Sequence, residues 1–298
     1  MNQDHSTPDA DAAGLVADLV SQLRLEQLDD DRFRGVSSDI GTRHVFGGQV
    51  LGQALMAASR TLPGRPVHSL HAYFLLPGDK GAPIDYVVER VRDGRSFGTR
   101  RVVAQQHGRT IFTLMASFQA QEEGAFSHQR PMPAAPAPEG LISEIEQQRA
   151  LIGRLPAWLE RWAAIGRPIE YRNVAPLDLL APPPDTAETQ IWMRAIAALP
   201  DDPALHCAIL AYASDFGLLR GALRPHGLSF MQPNVRGASL DHAMWFHRDF
   251  RIDDWLLYCI DSPSAQGARA LCRGEIYARD GRLVASAVQE GMIRVLSD

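Results

Sequence analysis

The stretch Gly47-Gly48-Gln49-Val50-Leu51-Gly52-Gln53-Ala54-Leu55-Met56-Ala57-Ala58-Ser59-Arg60 decides the fold of this chain. Val50, Leu51, Ala54, Leu55 and Ala58 recur at helical spacing, and nearly every other position is small or apolar as well. A helix that is apolar on several faces is buried on several faces. Leu62-Pro63-Gly64 stops it, and the pattern then changes to β-rich runs over 67–75, 84–92, 97–106 and 110–119. Pro77-Gly78, Asp93-Gly94 and His107-Gly108 separate these runs, and such turn dipeptides between strands mark antiparallel hairpins. One buried helix followed by four long strands predicts a sheet curled around that helix. Upstream, Leu15, Leu19, Leu23 and Leu28 mark an amphipathic helix over 15–28, and 33–37 reads as a short strand.

The second half repeats the theme. Tyr212-Ala213-Ser214-Asp215-Phe216-Gly217-Leu218-Leu219 leads into Ala238-Ser239-Leu240-Asp241-His242-Ala243-Met244-Trp245-Phe246, as Val45–Leu55 leads into Val67–Phe74. His71 is set against His242, Gly98-Thr99-Arg100 against Gly267-Ala268-Arg269, and the turn Gly108-Arg109 against Gly281-Arg282, at an offset of roughly 170 residues. Solenoid repeats run to roughly 20–50 residues, so this is a duplicated domain. A second helix is expected over 206–223, interrupted near Ser214-Asp215, with strands over 238–248, 255–262, 267–278 and 283–295. A strand over 190–197 has no clear counterpart in the first half. The organisation predicted is an unstructured start (1–13), a first repeat (14–120), a connection (121–165) and a second repeat (166–298). The connection is partly extended by Pro131, Pro133, Pro136 and Pro138, then helical over 141–162.

Bulk composition sets the class. A 298-residue chain, 45% hydrophobic and 22% charged, has enough apolar residues for two cores. The net charge of −5 gives no basic field for nucleic acid. Cys207, Cys259 and Cys272 lack Cys-x-x-Cys spacing, which argues against a disulfide framework or a zinc site and fits a reducing compartment. No apolar run reaches the ~18 residues that span a bilayer, and the start resembles no signal peptide. A cytoplasmic protein without membrane insertion is expected.

The residues able to do chemistry are few. Asp215 stands where the glycine pair stands in the first half, and reads either as a helix N-cap or as a general base in a half-buried groove. Ser239 opens a strand, and Gln289 lies within another; alone, neither would be singled out. Ser214 has no Gly-x-Ser-x-Gly elbow, so a serine nucleophile lacks its strained turn. His68 and His71, like His242 and His247, alternate across a strand and make poor metal pairs. Gly47 and Gly48 lack the lysine of a phosphate loop, yet glycines at a helix start expose N–H groups that can bind a developing oxyanion.

Taken together, Val45-Phe46-Gly47-Gly48-Gln49, Asp93-Gly94-Arg95-Ser96-Phe97, Ala116-Ser117-Phe118-Gln119, Tyr212–Asp215, Leu240–Arg248 and Val288-Gln289-Glu290-Gly291 resemble the acyl-CoA thioesterase II family, from about Leu15 to Arg294. The resemblance implies an α+β double hotdog, two fused repeats each with a long helix wrapped by an antiparallel sheet. It implies hydrolysis of fatty acyl-CoA without metal or other cofactor. A homo-oligomer is expected, with acyl-CoA as the substrate. It places the catalytic Asp, hydroxyl and Gln on Asp215, Ser239 and Gln289, together holding the attacking water. Ser239 stands where bacterial members commonly carry Thr. Gly47, Gly48, His71 and His242 are the expected substrate-binding positions. Two other readings stay open: an enoyl-CoA hydratase or dehydratase using an Asp/His dyad that includes His242, and a non-catalytic acyl-CoA sensor.

Overall fold

The structure is a computed structural model that describes residues 9–155, 157–175, 178 and 180–296. Its first half comprises helix α1 (Asp9–Leu23), strands β1 (Glu26–Gln27) and β2 (Arg32–Gly35), helix α2 (Gly47–Arg60) and strands β3 (Val67–Phe74), β4 (Ile84–Asp93), β5 (Phe97–Gln106) and β6 (Arg109–Gln119). Two short helices follow, α3 (Glu144–Arg149) and α4 (Ala157–Ala164). The second half comprises β7 (Ile169–Asn173), β8 (Thr189–Ala195), α5 (Pro203–Ser214), α6 (Arg220–Leu223), β9 (Val235–Ser239), β10 (Asp241–Phe246), β11 (Leu256–Gln266), β12 (Arg269–Ala278) and β13 (Leu283–Val295).

All described strands join one 13-stranded sheet in the order β1-β2-β4-β5-β6-β3-β10-β13-β12-β11-β8-β7, with β9 added on β13. The order reads alike outward from the β3–β10 seam, so the two halves form one double-hotdog sheet. β8, which had no counterpart in the sequence pattern, pairs with β11 as β2 pairs with β4. Helix α2 is buried continuously from Gly48 to Ala58, as its all-round apolar pattern requires. It lies against α5, where small residues let the backbones approach: a Cβ on Gly48 would fall 2.3 Å from the Tyr212 carbonyl oxygen, and one on Gly52 would fall 2.8 Å from that of Ala208.

Register corrects two of the sequence correspondences. His71 pairs with Ala243, and His242 pairs with Ala72. Paired residues share a face and neighbours along a strand alternate, so His71 and His242 stand on opposite faces. His71 is exposed on the outer face, whereas His242 is completely buried on the inner one. Likewise Arg100 is buried and Arg269 exposed. The burial patterns of β5 and β12 coincide when Arg100 is set against Cys272. Matching residue names had slipped the alignment, and an odd slip in a strand exchanges the faces.

The chain's ends and its connection also differ from expectation. Helix α1 begins at Asp9, inside the stretch read as unstructured; residues 1–8 lie outside the described part. The connection is not one helix over 141–162 but two short ones, α3 opening with a Ser143/Glu146 capping box. Its extended part lies across the outer face of the second half. There Trp192 donates from Nε1 to the Pro136 carbonyl at 2.9 Å, and Met132, Ala135 and Leu141 cover Trp192, Trp255, Leu257 and Tyr277.

Candidate active site

Helix α5 starts on Asp202, whose carboxylate accepts from the N–H groups of Ala204 and Leu205, with Pro203 at the first helical position. From Ala208 to Ser214 every residue is buried, so the helix is enclosed on all sides. Its last carbonyls would be orphans in that setting. Tyrosine hydroxyls satisfy two of them: Tyr171 donates to the Ala213 oxygen at 3.0 Å, and Tyr258 to the Ser214 oxygen at 3.3 Å. Asp215 is the residue that closes this C-terminus, so its reading as an N-cap is overturned. It does not occupy the place of Gly47 and Gly48 by repeat equivalence either. The two helices run antiparallel, and that brings the end of α5 beside the start of α2.

The Asp215 carboxylate is held on one side only. Its Oδ1 accepts from Gln289 Nε2 at 2.7 Å and from Ser239 Oγ at 3.2 Å. Its Oδ2 faces the start of α2, where a Cβ built on Gly47 would fall 2.8 Å from that oxygen and 3.0 Å from the Phe74 ring. Only glycine leaves room there. The sheet delivers the other two residues. Ser239 ends β9, paired with Gly291 of β13, and Gln289 lies two positions along on the same face. The turn into β10 is fastened where the Leu240 N–H donates to the Glu290 oxygen at 2.9 Å. The Asp241 carboxylate accepts the Glu290 N–H at 2.7 Å. Gln289 is wholly buried, and its Oε1 has no partner.

His242 sits beneath this site. Its Nε2 lies 3.0 Å from Ser214 Oγ, which also donates to the Ala211 carbonyl at 3.0 Å. Burial pushes the imidazole down to about 4, against the pull of the Asp215 charge, so the ring is neutral. The Ser214–His242 pair has the composition of a nucleophile and its base. Ser214 is nonetheless fully buried, with its hydroxyl turned into its own helix. His242 lies under the site rather than on a surface that substrate reaches. His71 is not brought here at all: it is on the outer face, its ring edge-on to Trp245 at 5.2 Å.

The structure therefore assembles Asp215, Ser239, Gln289 and Gly47, and withdraws His71 and His242 from direct contact. Sequence reasoning missed the aromatic wall. Phe216 follows Asp215 and stacks on Tyr171 at 4.7 Å, and Phe46 meets Tyr212 edge-on at 5.1 Å. Their adjacency in sequence to Gly47 and Asp215 was the only available signal. Among the described residues no group of three or more His, Cys, Asp or Glu is placed to hold a metal ion. No described helix is long and apolar enough to cross a membrane.

Such a site has one tethered carboxylate, one free carboxylate oxygen and helix-start N–H groups beside it: the parts for activating water and stabilising an oxyanion. Residues 34–119 match the family model described as the acyl-CoA thioesterase N-terminal domain, and residues 179–292 match the acyl-CoA thioesterase model. The chain is 42% identical to acyl-CoA thioesterase 2 of Haemophilus influenzae, over 94% of this chain and 98% of that one. It is 40% identical to human acyl-coenzyme A thioesterase 8, over 98% and 93%. Among solved structures, acyl-CoA thioesterase II TesB2 from Mycobacterium marinum superposes with a TM-score of 0.76 at 46% identity, covering 94% of this chain and 99% of that one.

Proposed function

This chain belongs to the acyl-CoA thioesterase family and is a thioester hydrolase, and we propose that Asp215, Ser239 and Gln289 perform its hydrolysis of fatty acyl-CoA. The observation that carries the assignment is the one-sided tether of Asp215: two donors on Oδ1, and Oδ2 turned towards Gly47. The sequence reading had Ser239 and Gln289 orient the water. Their donors are on the carboxylate instead, so their first task is to orient the base. Oδ2 accepts a proton from a water lying between it and the thioester carbonyl. The oxygen of the water attacks the carbonyl carbon, and the resulting oxyanion is met by the N–H groups of Gly47 and Gly48, which have no carbonyl of their own helix to bond. The tetrahedral intermediate then expels the CoA thiolate, which takes up the proton from Asp215, leaving fatty acid and free thiol.

Magnitudes are adequate. General-base action contributes about 10²–10⁴-fold, and a positioned oxyanion donor about 10²–10³-fold. A thiolate leaves readily, so no separate general acid is required. The hydratase reading needs His242 and an aspartate as a working dyad, but the ring is tied to Ser214. The sensor reading has no use for a base with one oxygen left free. A cytoplasmic homo-oligomer completes the proposal. Self-association is supported by Tyr73, Val87 and Met115, exposed on the outer face of the first half.

Thiol release across a series of acyl-CoA lengths tests the activity, and Asp215→Asn tests the base. The variant should keep its fold and its KM while turnover falls by about 10²-fold or more. Hydrolysis at the parent rate would remove Asp215 from the mechanism.

A further inference from the structure

The connection between the halves does more than span them. Glu144, on α3, is almost fully buried, with its side chain 4% exposed. Both its oxygens accept from Arg220 of α6, Nη1 donating to Oε2 and Nη2 to Oε1, each at 2.7 Å. Gln148 donates to Oε1 as well, at 2.7 Å. The carboxylate is thus fixed by α3 itself, and it fixes the guanidinium in a fork-to-fork geometry. That guanidinium lies over the Phe216 ring, 4.9 Å from its centroid. Tyr171 stacks on the ring at 4.7 Å. The connection also supplies Trp162, stacked with Phe216 at 6.4 Å, while Arg167 lies 4.1 Å over Trp162 and 5.3 Å over Phe216. Phe216 is the residue after Asp215. The turn continues through Gly217, at a φ of 94°, whose carbonyl accepts the Arg220 N–H at 3.0 Å. Arg220 therefore grips both the ring and the backbone of the turn that presents the carboxylate.

We propose that Glu144 and Arg220 are positioning residues of the hydrolytic site: the connection holds Asp215 in register with Ser239 and Gln289 by clamping Phe216. The tether on Oδ1 sets where the carboxylate points, and the clamp sets where its backbone lies. Misplacing a reacting group by about 1 Å can cost on the order of 10²-fold in rate. A clamp with no contact to the substrate affects kcat and spares KM. The proposal rests on Asp215 being the base, and the test separates the two ideas.

Glu144→Gln keeps the shape and removes the charge. Its kcat should fall on the order of 10-fold or more with KM within about twofold. Because the effect runs through Asp215, the same change made in Asp215→Asn should lower the residual rate little further, a non-additivity expected of residues acting as one unit. A buried charge left without its partner can unfold the protein, so a second variant removes both. Replacing a buried ion pair with apolar residues of similar size commonly preserves stability. Glu144→Met with Arg220→Met should therefore keep the parent Tm and still lose the same fraction of kcat. The proposal is overturned if either variant, folded, turns over at the parent rate, or if the Glu144→Gln loss is as large without the aspartate as with it. Asp215→Asn at the parent rate would sink the base assignment and this proposal together. A slow Asp215→Asn beside a fast Glu144→Gln sinks this proposal alone.

Discussion

Asp215 shows how little of a residue's work its sequence neighbourhood reveals. Read along the chain, an aspartate beside a helical stretch is most simply a cap, and the structure puts it at the other end of the helix. Its setting is legible only through residues far away, Ser239 and Gln289, whose donors meet on Oδ1. Those two were legible as types at positions, from the resemblance; that they hold the Asp215 carboxylate was not, because a hydrogen bond across a sheet leaves no local pattern. Ser239→Thr should remain active, since the hydroxyl survives and a strand end accommodates a β-branched side chain. Ser239→Ala should be markedly slower, with Asp215 held by Gln289 alone. Steady-state thiol release from both variants decides it, and equal rates for Ala and Thr would show that the hydroxyl is idle. His242 gives the pH signature. Burial pushes its ring from an ordinary 6.5 down to about 4. The native state therefore binds fewer protons here than the unfolded chain does between those values. The stability that follows is complete above about pH 6.5 and is lost as pH falls towards about 4. Unfolding by urea at several pH values should show that decline, and His242→Gln should flatten part of it. An unchanged slope would mean that the ring titrates normally.

At the scale of elements, the hydrophobic pattern was a sound guide and residue names were not. The buried helix, its stop at Leu62-Pro63-Gly64 and all four following strands lie within a residue or two of expectation, since period and turn chemistry are local properties. The interruption after Ser214 was equally readable, and α5 ends there. The pairing of His71 with His242 failed because identity carries no information about which face a strand residue occupies, whereas burial does. The approach of α2 to α5 was half visible as an excess of small residues, but only the structure shows which atoms they admit. Gly48→Ala would set a Cβ 2.3 Å from the Tyr212 oxygen and 2.5 Å from the Phe46 ring. The helices must separate, at a cost of about 1–3 kcal/mol. Since their contact also sets Gly47 beside Asp215, activity should fall along with the melting temperature. Calorimetry and thiol release on the same sample would check this; a variant with parent stability would mean that the helix pair is not held at the distance seen.

For the whole molecule, the decisive feature is the seam. β3 pairs with β10 from Ser69 opposite Trp245 to Tyr73 opposite Asp241, and through it two half-sheets become one. The site straddles this join. Asp215, Ser239 and Gln289 come from the second half, while Gly47 and Phe74 beside Oδ2 come from the first. Duplication was plain in the sequence; that the candidate site would draw residues from both copies was not, because only the antiparallel helix pair brings the start of α2 to the end of α5. Cutting the chain would leave β3 and β10 as bare edges and would strip α2 and α5 of their mutual cover, exposing apolar surface of the kind that drives association. Residues 1–140 and 141–298 expressed separately should therefore be poorly soluble and inactive. Produced together, they should recover part of the activity as the seam re-forms between chains. Light scattering and thiol release on each preparation would decide the matter. A second half that is monomeric and hydrolyses acyl-CoA unaided would show that Gly47 and the start of α2 are dispensable, and that the oxyanion is stabilised from within one repeat.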